Sequence, residues 1–211
     1  FEGKPSFESL KTEADVKAFF EETFPDALNL MPELVDDYFT NPTSSLVTIK
    51  CHPWNYEDWI ILMGDASHAI VPFYGQGMNS GFEDCTVFND IFEAENQNWA
   101  KSFKRFSNER KADADAISNL ALSNFVEMRD KVADEMFLLR KKIEKKIAEK
   151  HPDLWMPLYS RVTFSHKPYS EALKAGERQD KIMDCVMAKE NIIEVWDSKE
   201  VEEEILSMVK K

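Results

Sequence analysis

The stretch Trp59–Cys85, WIILMGDASHAIVPFYGQGMNSGFEDC, holds four of the six glycines in the 211-residue chain: Gly64, Gly75, Gly77 and Gly81. Six is about half the usual glycine share. A chain this sparing with glycine uses it where the backbone needs a conformation or an approach that a side chain forbids. The run WIILM at 59–63 is apolar, of strand length, and reads as a buried central strand. It ends at Gly64-Asp65. A proline-containing loop follows, and Gly75-Gln76-Gly77 then precedes a helix predicted to run from Met78 into GFEDCTVFNDIFEAE. A carboxylate just beyond a buried strand can accept hydrogen bonds from a ligand's hydroxyls. Glycines before a helix let a ligand reach the backbone, where free N–H groups and the positive end of the helix dipole face it. Such a segment suits a planar, partly anionic group at the helix start and a polyhydroxyl chain near Asp65. The same residues can also form a purely structural strand-to-helix turn. No GxxxxGK phosphate loop is present, and GQGMNSG lacks the spacing and the βαβ setting of a dinucleotide fingerprint.

The rest of the composition narrows the classes. A hydrophobic share of 43% with five Trp indicates a packed core. The net charge of −13 argues against a nucleic-acid partner, which needs clustered Lys and Arg, and against docking on anionic lipid. Cys51, Cys85 and Cys185 are odd in number and far apart, and the histidines at 52, 68, 151 and 166 form no zinc-type spacing, so reduced thiols in a cytosolic compartment are the simplest reading. No apolar run approaches the ~20 residues of a membrane span. The opening FEGKPSF has neither a Met nor a helix or strand start and reads as part of a longer protein.

Along the chain, Thr12 and Asp15 have capping-box spacing at the start of a helix whose Val16, Phe19, Phe20 and Phe24 recur helically before Pro25. A second short helix is predicted in MPELVDDYF. SSLVTIKCHPW reads as a strand near 45–51, Asn55–Asp58 as a polar turn, and the 59–63 run as its hairpin partner. Everything from about Met78 onward is predicted helical. RKKIEKKIAEK reads as an exposed helix surface, and WDSKEVEEEILSMVKK as a terminal helix capped by Asp197 with Glu200. The expected class is therefore α+β and helix-dominated, with a small β element at 45–51 and 59–63, and with regions 1–95 and 96–211. Ile117, Leu120, Ala121, Asn124 and Met128 fall on one helix face, which places the Asn124 amide in an apolar stripe. There it needs a partner, either neighbouring backbone or a ligand carboxylate.

GDASHAIVPFYGQGMNSGFEDC closely resembles the second flavin motif of the class A flavoprotein monooxygenases, the single-component aromatic hydroxylases. That resemblance implies FAD as cofactor, with Asp65 on the ribityl chain and Gly75, Gly77, Met78 and Asn79 around the flavin ring. VPFYGQGMN, LSNFVEMRDKV and MPLYSRVTFS, in that order, are similar to the kynurenine-hydroxylating branch of the family, and FFEETFPDALNLM resembles the segment that precedes its GD strand. The likeness runs from the N-terminus to about Tyr169. It implies that Asn124 and Tyr159 hold the substrate's amino-acid carboxylate. Pro72, Phe73 and Tyr74 would lie between substrate ring and flavin, and Met128 would be an apolar wall. Glu127 with Arg129 reads as a structural charge network, and His68 as a hydrogen-bonding loop residue.

In activity the resemblance implies hydroxylation of L-kynurenine to 3-hydroxykynurenine with NADPH and O2, through a flavin C4a-hydroperoxide, with no strong protein base at the attacked carbon. The family's GxGxxG segment and a hydrophobic C-terminal anchor are not recognised in this chain. The expectation is the C-terminal part of a soluble, cytoplasmic, bacterial-type enzyme, inactive and weakly flavin-binding by itself. A related hydroxylase of another aromatic acid and a non-catalytic helical binding module are the alternatives.

Overall fold

The computed structural model describes residues 3–210. The chain divides into two units, Phe1–Leu46 and Val47–Lys211. In the first, helix α1 (Glu13–Thr23) starts at the expected capping box: Thr12 accepts from the Asp15 amide, and the Asp15 carboxylate accepts from the Thr12 amide at 2.9 Å. Pro25 does not only end α1; it opens a further turn, α2 (Pro25–Leu28), where a missing N–H costs nothing. Helix α3 (Leu34–Thr40) follows. Val16 and Leu34 are buried, and Phe19, Phe20 and Phe24 pack with centroids 5.5–6.1 Å apart.

The second unit begins extended. Residues 45–51, read from sequence as a strand, form no ladder among the described residues; the Ile49 amide bonds the Ala69 carbonyl at 2.9 Å. β-propensity alone does not make a strand without a partner in register. The hairpin lies downstream: β1 (Asn55–Tyr56) pairs antiparallel with β2 (Ile60–Ile61). Asn55 and Tyr56, read as turn residues, are strand, and the turn itself carries Glu57 at φ +50°. The 59–63 run is not wholly buried either. Trp59 and Ile60 are exposed, while Ile61, Leu62 and Met63 pack on the buried Trp54.

Helices then dominate: α4 (Asp65–His68), a 3₁₀ turn (Pro72–Tyr74), α5 (Gly77–Ala94), α6 (Trp99–Asp130), α7 (Glu135–Lys150), α8 (Leu158–Thr163), α9 (Tyr169–Met187), α10 (Ile192–Val195) and α11 (Lys199–Val209). Asn98 and Asp134 cap α6 and α7 by accepting from Lys101 and Phe137 amides at 3.0 and 2.7 Å. The cap of α11 is Ser198, not Asp197: the Ser198 hydroxyl accepts from the Val201 amide at 3.3 Å, and Asp197 is drawn away to Lys146 at 2.5 Å. The charged run of α7 is exposed only in part, because Ile143 and Ile147 are buried and its basic side chains tie it to its neighbours. Lys150 and His151 together hold the Glu202 carboxyl down to about 2.

Three apolar clusters organise this unit. Val71, Tyr74, Ile117, Leu120, Val162 and Ala172 join the 3₁₀ turn, α6, α8 and α9. Ile143, Ile147, Trp155, Met183, Val186 and Ile205 join α7, α9 and α11. Trp54, Ile91 and Phe106 join the hairpin region, α5 and α6. Helices α6 and α9 each serve two clusters and so form the spine. Among the described residues, no helix is long and apolar enough to cross a membrane, and no cluster of His, Cys, Asp and Glu could hold a metal ion.

Helices α8 and α9 approach closely at Gly176. A Cβ there would lie 2.6 Å from Leu158 Cδ2 and 3.2 Å from its Cγ. Alanine inside a helix normally adds ~1 kcal/mol over glycine. At this position overpacking of ~1–3 kcal/mol outweighs that gain. Gly176→Ala is therefore expected to lower the melting temperature, and the same substitution made in a Leu158→Ala background to raise it, as read by thermal denaturation.

Candidate functional site

The GD turn is held by a buried ionic network that the sequence reading did not find. Gly64 sits at φ +57°, ψ −140°, a conformation that L residues rarely adopt. Its amide donates to Asp84 Oδ2 on α5 at 2.8 Å. His68 Nε2, at the far end of α4, lies 2.6 Å from the same oxygen. Arg110 Nε on α6 donates to Asp84 Oδ1 at 2.7 Å, and its NH2 reaches Glu83 at 2.7 Å and the Ser80 carbonyl at 3.3 Å. Asp84 is fully buried, and Arg110 is 2% exposed. Burial opposes the charge on Asp84, but His68, Arg110 and the Gly64 amide outweigh it and hold the carboxyl below its ordinary value. His68 is thus the hydrogen-bonding loop residue expected of it. Trp54 packs on its ring at 5.4 Å and donates from its indole N–H to the Cys51 carbonyl at 2.8 Å. A signal for the network existed: Phe103, Phe106, Ser107, Arg110, Ala114 and Ile117 follow a helical register, so an arginine lay in a buried stripe.

The residues expected to meet a cofactor lie at two ends of this network. Asp65 is exposed in the first turn of α4. Gly75, in the left-handed region at φ +66°, closes the 3₁₀ turn and would meet nothing within 4 Å if it carried a Cβ. Helix α5 starts at Gly77, one residue before the predicted Met78, and no side chain caps it. Met78 and Asn79 are exposed. Gln76 is buried beneath the opening and accepts from Asn79 at 3.2 Å and from the Tyr169 hydroxyl at 3.3 Å. An uncapped 18-residue helix leaves its first amides for a ligand. The open glycine and that helix mouth are compatible with a flavin ring seated against the backbone.

The residues expected to meet substrate divide. Tyr74, Asn124 and Tyr159 line a single cavity of about 980 Å³ between α6, α7, α8 and α9, with Leu120, Glu127 and Arg140 also in its wall. The Tyr74 and Tyr159 rings stack at 5.6 Å and 25°. Burial raises the Tyr74 phenol, with the charge of Glu127 adding to it, so it stays protonated at neutral pH. Asn124 Nδ2 donates to the Phe73 carbonyl at 2.6 Å, the backbone partner an amide in that stripe requires, and lies 3.6 Å from Met128 Sδ. Phe73 packs on Phe125 at 4.5 Å. Pro72, Phe73 and Met128 are not in the cavity wall, and Met128 is more than half exposed. Glu127 pairs with Lys141 at 3.3 Å, and Arg129 with Asp130 at 2.7 Å.

Replacing Asp84 by Asn strands the Arg110 charge against Glu83 and Asp113 alone and is expected to cost on the order of 3 kcal/mol. A carboxyl held below its ordinary value gives stability that is complete above that value and fades as pH falls through the lowered one. Melting temperatures from neutral to acid pH should therefore fall more steeply in the native chain than in Asp84→Asn. Equal slopes would show that the Asp84 charge does not anchor the fold.

Residues 47–121 match the family described as FAD binding domain. The whole chain is similar to the kynurenine 3-monooxygenase of Flavobacterium johnsoniae, 56% identical over 211 residues, which is 100% of this chain and 47% of that protein. It is 58% identical over the same span to that of Christiangramia forsetii, again 47% of the relative's length. The Dictyostelium discoideum kynurenine 3-monooxygenase is 45% identical over 195 residues, 87% of this chain and 42% of the relative. The chain spans about half the length of the curated relatives it matches. With its GD turn, its open helix mouth and this identity along its whole length, the chain belongs to the kynurenine 3-monooxygenase family of FAD-dependent monooxygenases.

Proposed function

We propose that this chain forms the C-terminal part of an enzyme that hydroxylates the ring of L-kynurenine to give 3-hydroxykynurenine, using NADPH and O2. Residues 1–95 end the substrate- and FAD-binding domain, and residues 96–211 form the helical domain. The observation that carries this reading is the meeting of Tyr74, Asn124 and Tyr159 in one cavity, with Tyr74 only three residues before Gly77, the uncapped start of α5. FAD, when bound, would supply the redox chemistry that links NADPH oxidation to the activation of O2.

The tasks left to this chain are binding and orientation. Asp65 would accept hydrogen bonds from the ribityl hydroxyls. The amides of Gly77, Met78 and Asn79, with the dipole of α5 behind them, would favour negative charge on the flavin's pyrimidine side. Asn124 and Tyr159 would donate to the substrate carboxylate; Asn124 has a second amide hydrogen whose neighbour is only the weakly accepting Met128 sulfur at 3.6 Å. The stacked Tyr74 and Tyr159 rings would keep water from the aromatic end. The ring amine of kynurenine already activates the carbon beside it, so no protein base is needed there.

In FAD-loaded protein of the relatives' full length, kynurenine should stimulate NADPH oxidation. Asn124→Ala and Tyr159→Phe should each lower kcat/KM for kynurenine by about 10- to 100-fold, the effect of losing a hydrogen bond to a charged group. Faster turnover of hydroxybenzoate or salicylate would overturn the substrate assignment, and no stimulation by any aromatic acid would favour a non-catalytic role. The 211-residue chain by itself should carry little flavin, and stoichiometric flavin absorbance in the purified chain would overturn that expectation.

A further inference from the structure

Glu127 follows Asn124 by three residues on α6, and both line the cavity that Tyr74 and Tyr159 share. Side chains three apart lie on one helix stripe, so an amide donor and a carboxylate stand side by side in the wall. Of the other cavity carboxylates, Glu144, Asp180 and Asp184 bond the Arg140 guanidinium at 3.0, 2.5 and 2.8 Å, and Glu149 pairs with Lys145 at 3.8 Å. Glu127, the one that stands beside Asn124, faces a primary ammonium, Lys141 Nζ, at 3.3 Å. That group also touches Glu144 at 3.5 Å, lies 5.1 Å from the Phe137 ring centroid, and belongs to a side chain 44% exposed. Lys141 is therefore tethered loosely and has solvent to move into. The field of Glu127 reaches the aromatic end of the cavity, where it helps hold the Tyr74 phenol up.

An aromatic α-amino acid brings its own primary ammonium, attached to the same carbon as its carboxylate. We propose that Glu127 receives the substrate's α-ammonium, displacing Lys141, while Asn124 and Tyr159 take the carboxylate, so that Glu127 selects an amino acid over a simple aromatic acid. The inference rests on the kynurenine reading above. Lys141 Nζ is the resident stand-in for the arriving group: the same chemical species, on the same carboxylate.

A purely structural tie between α6 and α7 makes a different prediction, because removing either end of the Glu127–Lys141 pair would then act in the same direction. An ammonium subsite makes the two ends opposite: loss of Glu127 removes the acceptor, and loss of Lys141 removes a competitor. The test uses FAD-loaded protein of the relatives' full length. It measures KM, and Kd by calorimetry, for L-kynurenine and for its des-amino analogue, 4-(2-aminophenyl)-4-oxobutanoic acid. Glu127→Gln should weaken kynurenine by about 10-fold, the scale of one hydrogen bond to a charged group, and leave the analogue nearly unchanged. Glu127→Asp, which keeps the charge, should recover part of the preference for the amino acid. Lys141→Met should tighten kynurenine and not the analogue. Equal weakening of both ligands by Glu127→Gln, or a weakening of kynurenine by Lys141→Met, would overturn the proposal. If Glu127→Gln does not fold, the direction of the Lys141→Met effect decides. A native protein that ignores kynurenine yet turns over another aromatic acid would sink the functional reading itself, a result distinct from a kynurenine enzyme indifferent to Glu127.

Discussion

The charge of Asp84 is the constraint on which the site depends. A fully buried carboxylate is tolerated only when its lone pairs are taken up, and here a backbone amide and an imidazole from the two ends of α4 and a guanidinium from α6 do so. Gly64 and His68 bracket α4, Asp84 lies two turns into α5, and Arg110 is near the middle of α6. The network therefore sets the position of the GD turn relative to the helix whose mouth lies next to the 3₁₀ turn. It also gives position 64 a reason to be glycine: the residue whose amide donates to Asp84 has its backbone in a region closed to other residues. Arg110 extends the same order outward, with Tyr169 beneath its guanidinium at 5.8 Å and Glu83 and Asp113 at its edges.

The cavity has the opposite character. It lies where the clusters on α6 and α9 diverge, and charge rather than apolar packing spans the gap. Arg140 gathers Glu144 from its own helix and Asp180 and Asp184 from α9, while Lys141 reaches back to Glu127 on α6. Pairs with this much solvent contribute little stability each. The wall is held less rigidly than the Asp84 network, as suits a surface that must admit and release a polar ligand. Gly176 sets the other side: with no Cβ there, α8 lies close to α9 and brings Leu158 and Tyr159 to the cavity.

Much of this was legible in the residues alone. The capping box at Thr12, the helix after Gly75-Gln76-Gly77, the stripe Ile117–Leu120–Ala121 and the flavin motif are local patterns, and local patterns survive into the fold because they depend on near neighbours in the chain. The readings that shifted share a different cause. Residues 45–51 have strand composition but no ladder among the described residues. Asp197 has cap spacing, yet Lys146 claims it and Ser198 caps instead. Trp59 and Ile60 are apolar, yet face outward beside a two-residue hairpin strand. In each, a long-range partner, present or missing, overrode the local preference.

The amino-acid sequence by itself determined the helix-dominated class, the family, the glycine-bearing turn, and Asn124 and Tyr159 as candidates for one ligand. The class and the glycine-bearing turn follow from spacing and residue type; the family, and the pairing of Asn124 with Tyr159, follow from the resemblance of longer motifs to known proteins. Only the tertiary structure decided that Asp84, His68 and Arg110 form one buried ion cluster, that Tyr74 joins Asn124 and Tyr159 in one cavity while Met128 stays outside it, and that Glu127 faces an ammonium. The reason is geometric: a charge's partners up to 26 residues apart, and a wall built from four helices, are set by how elements pack, and no spacing along the chain encodes them.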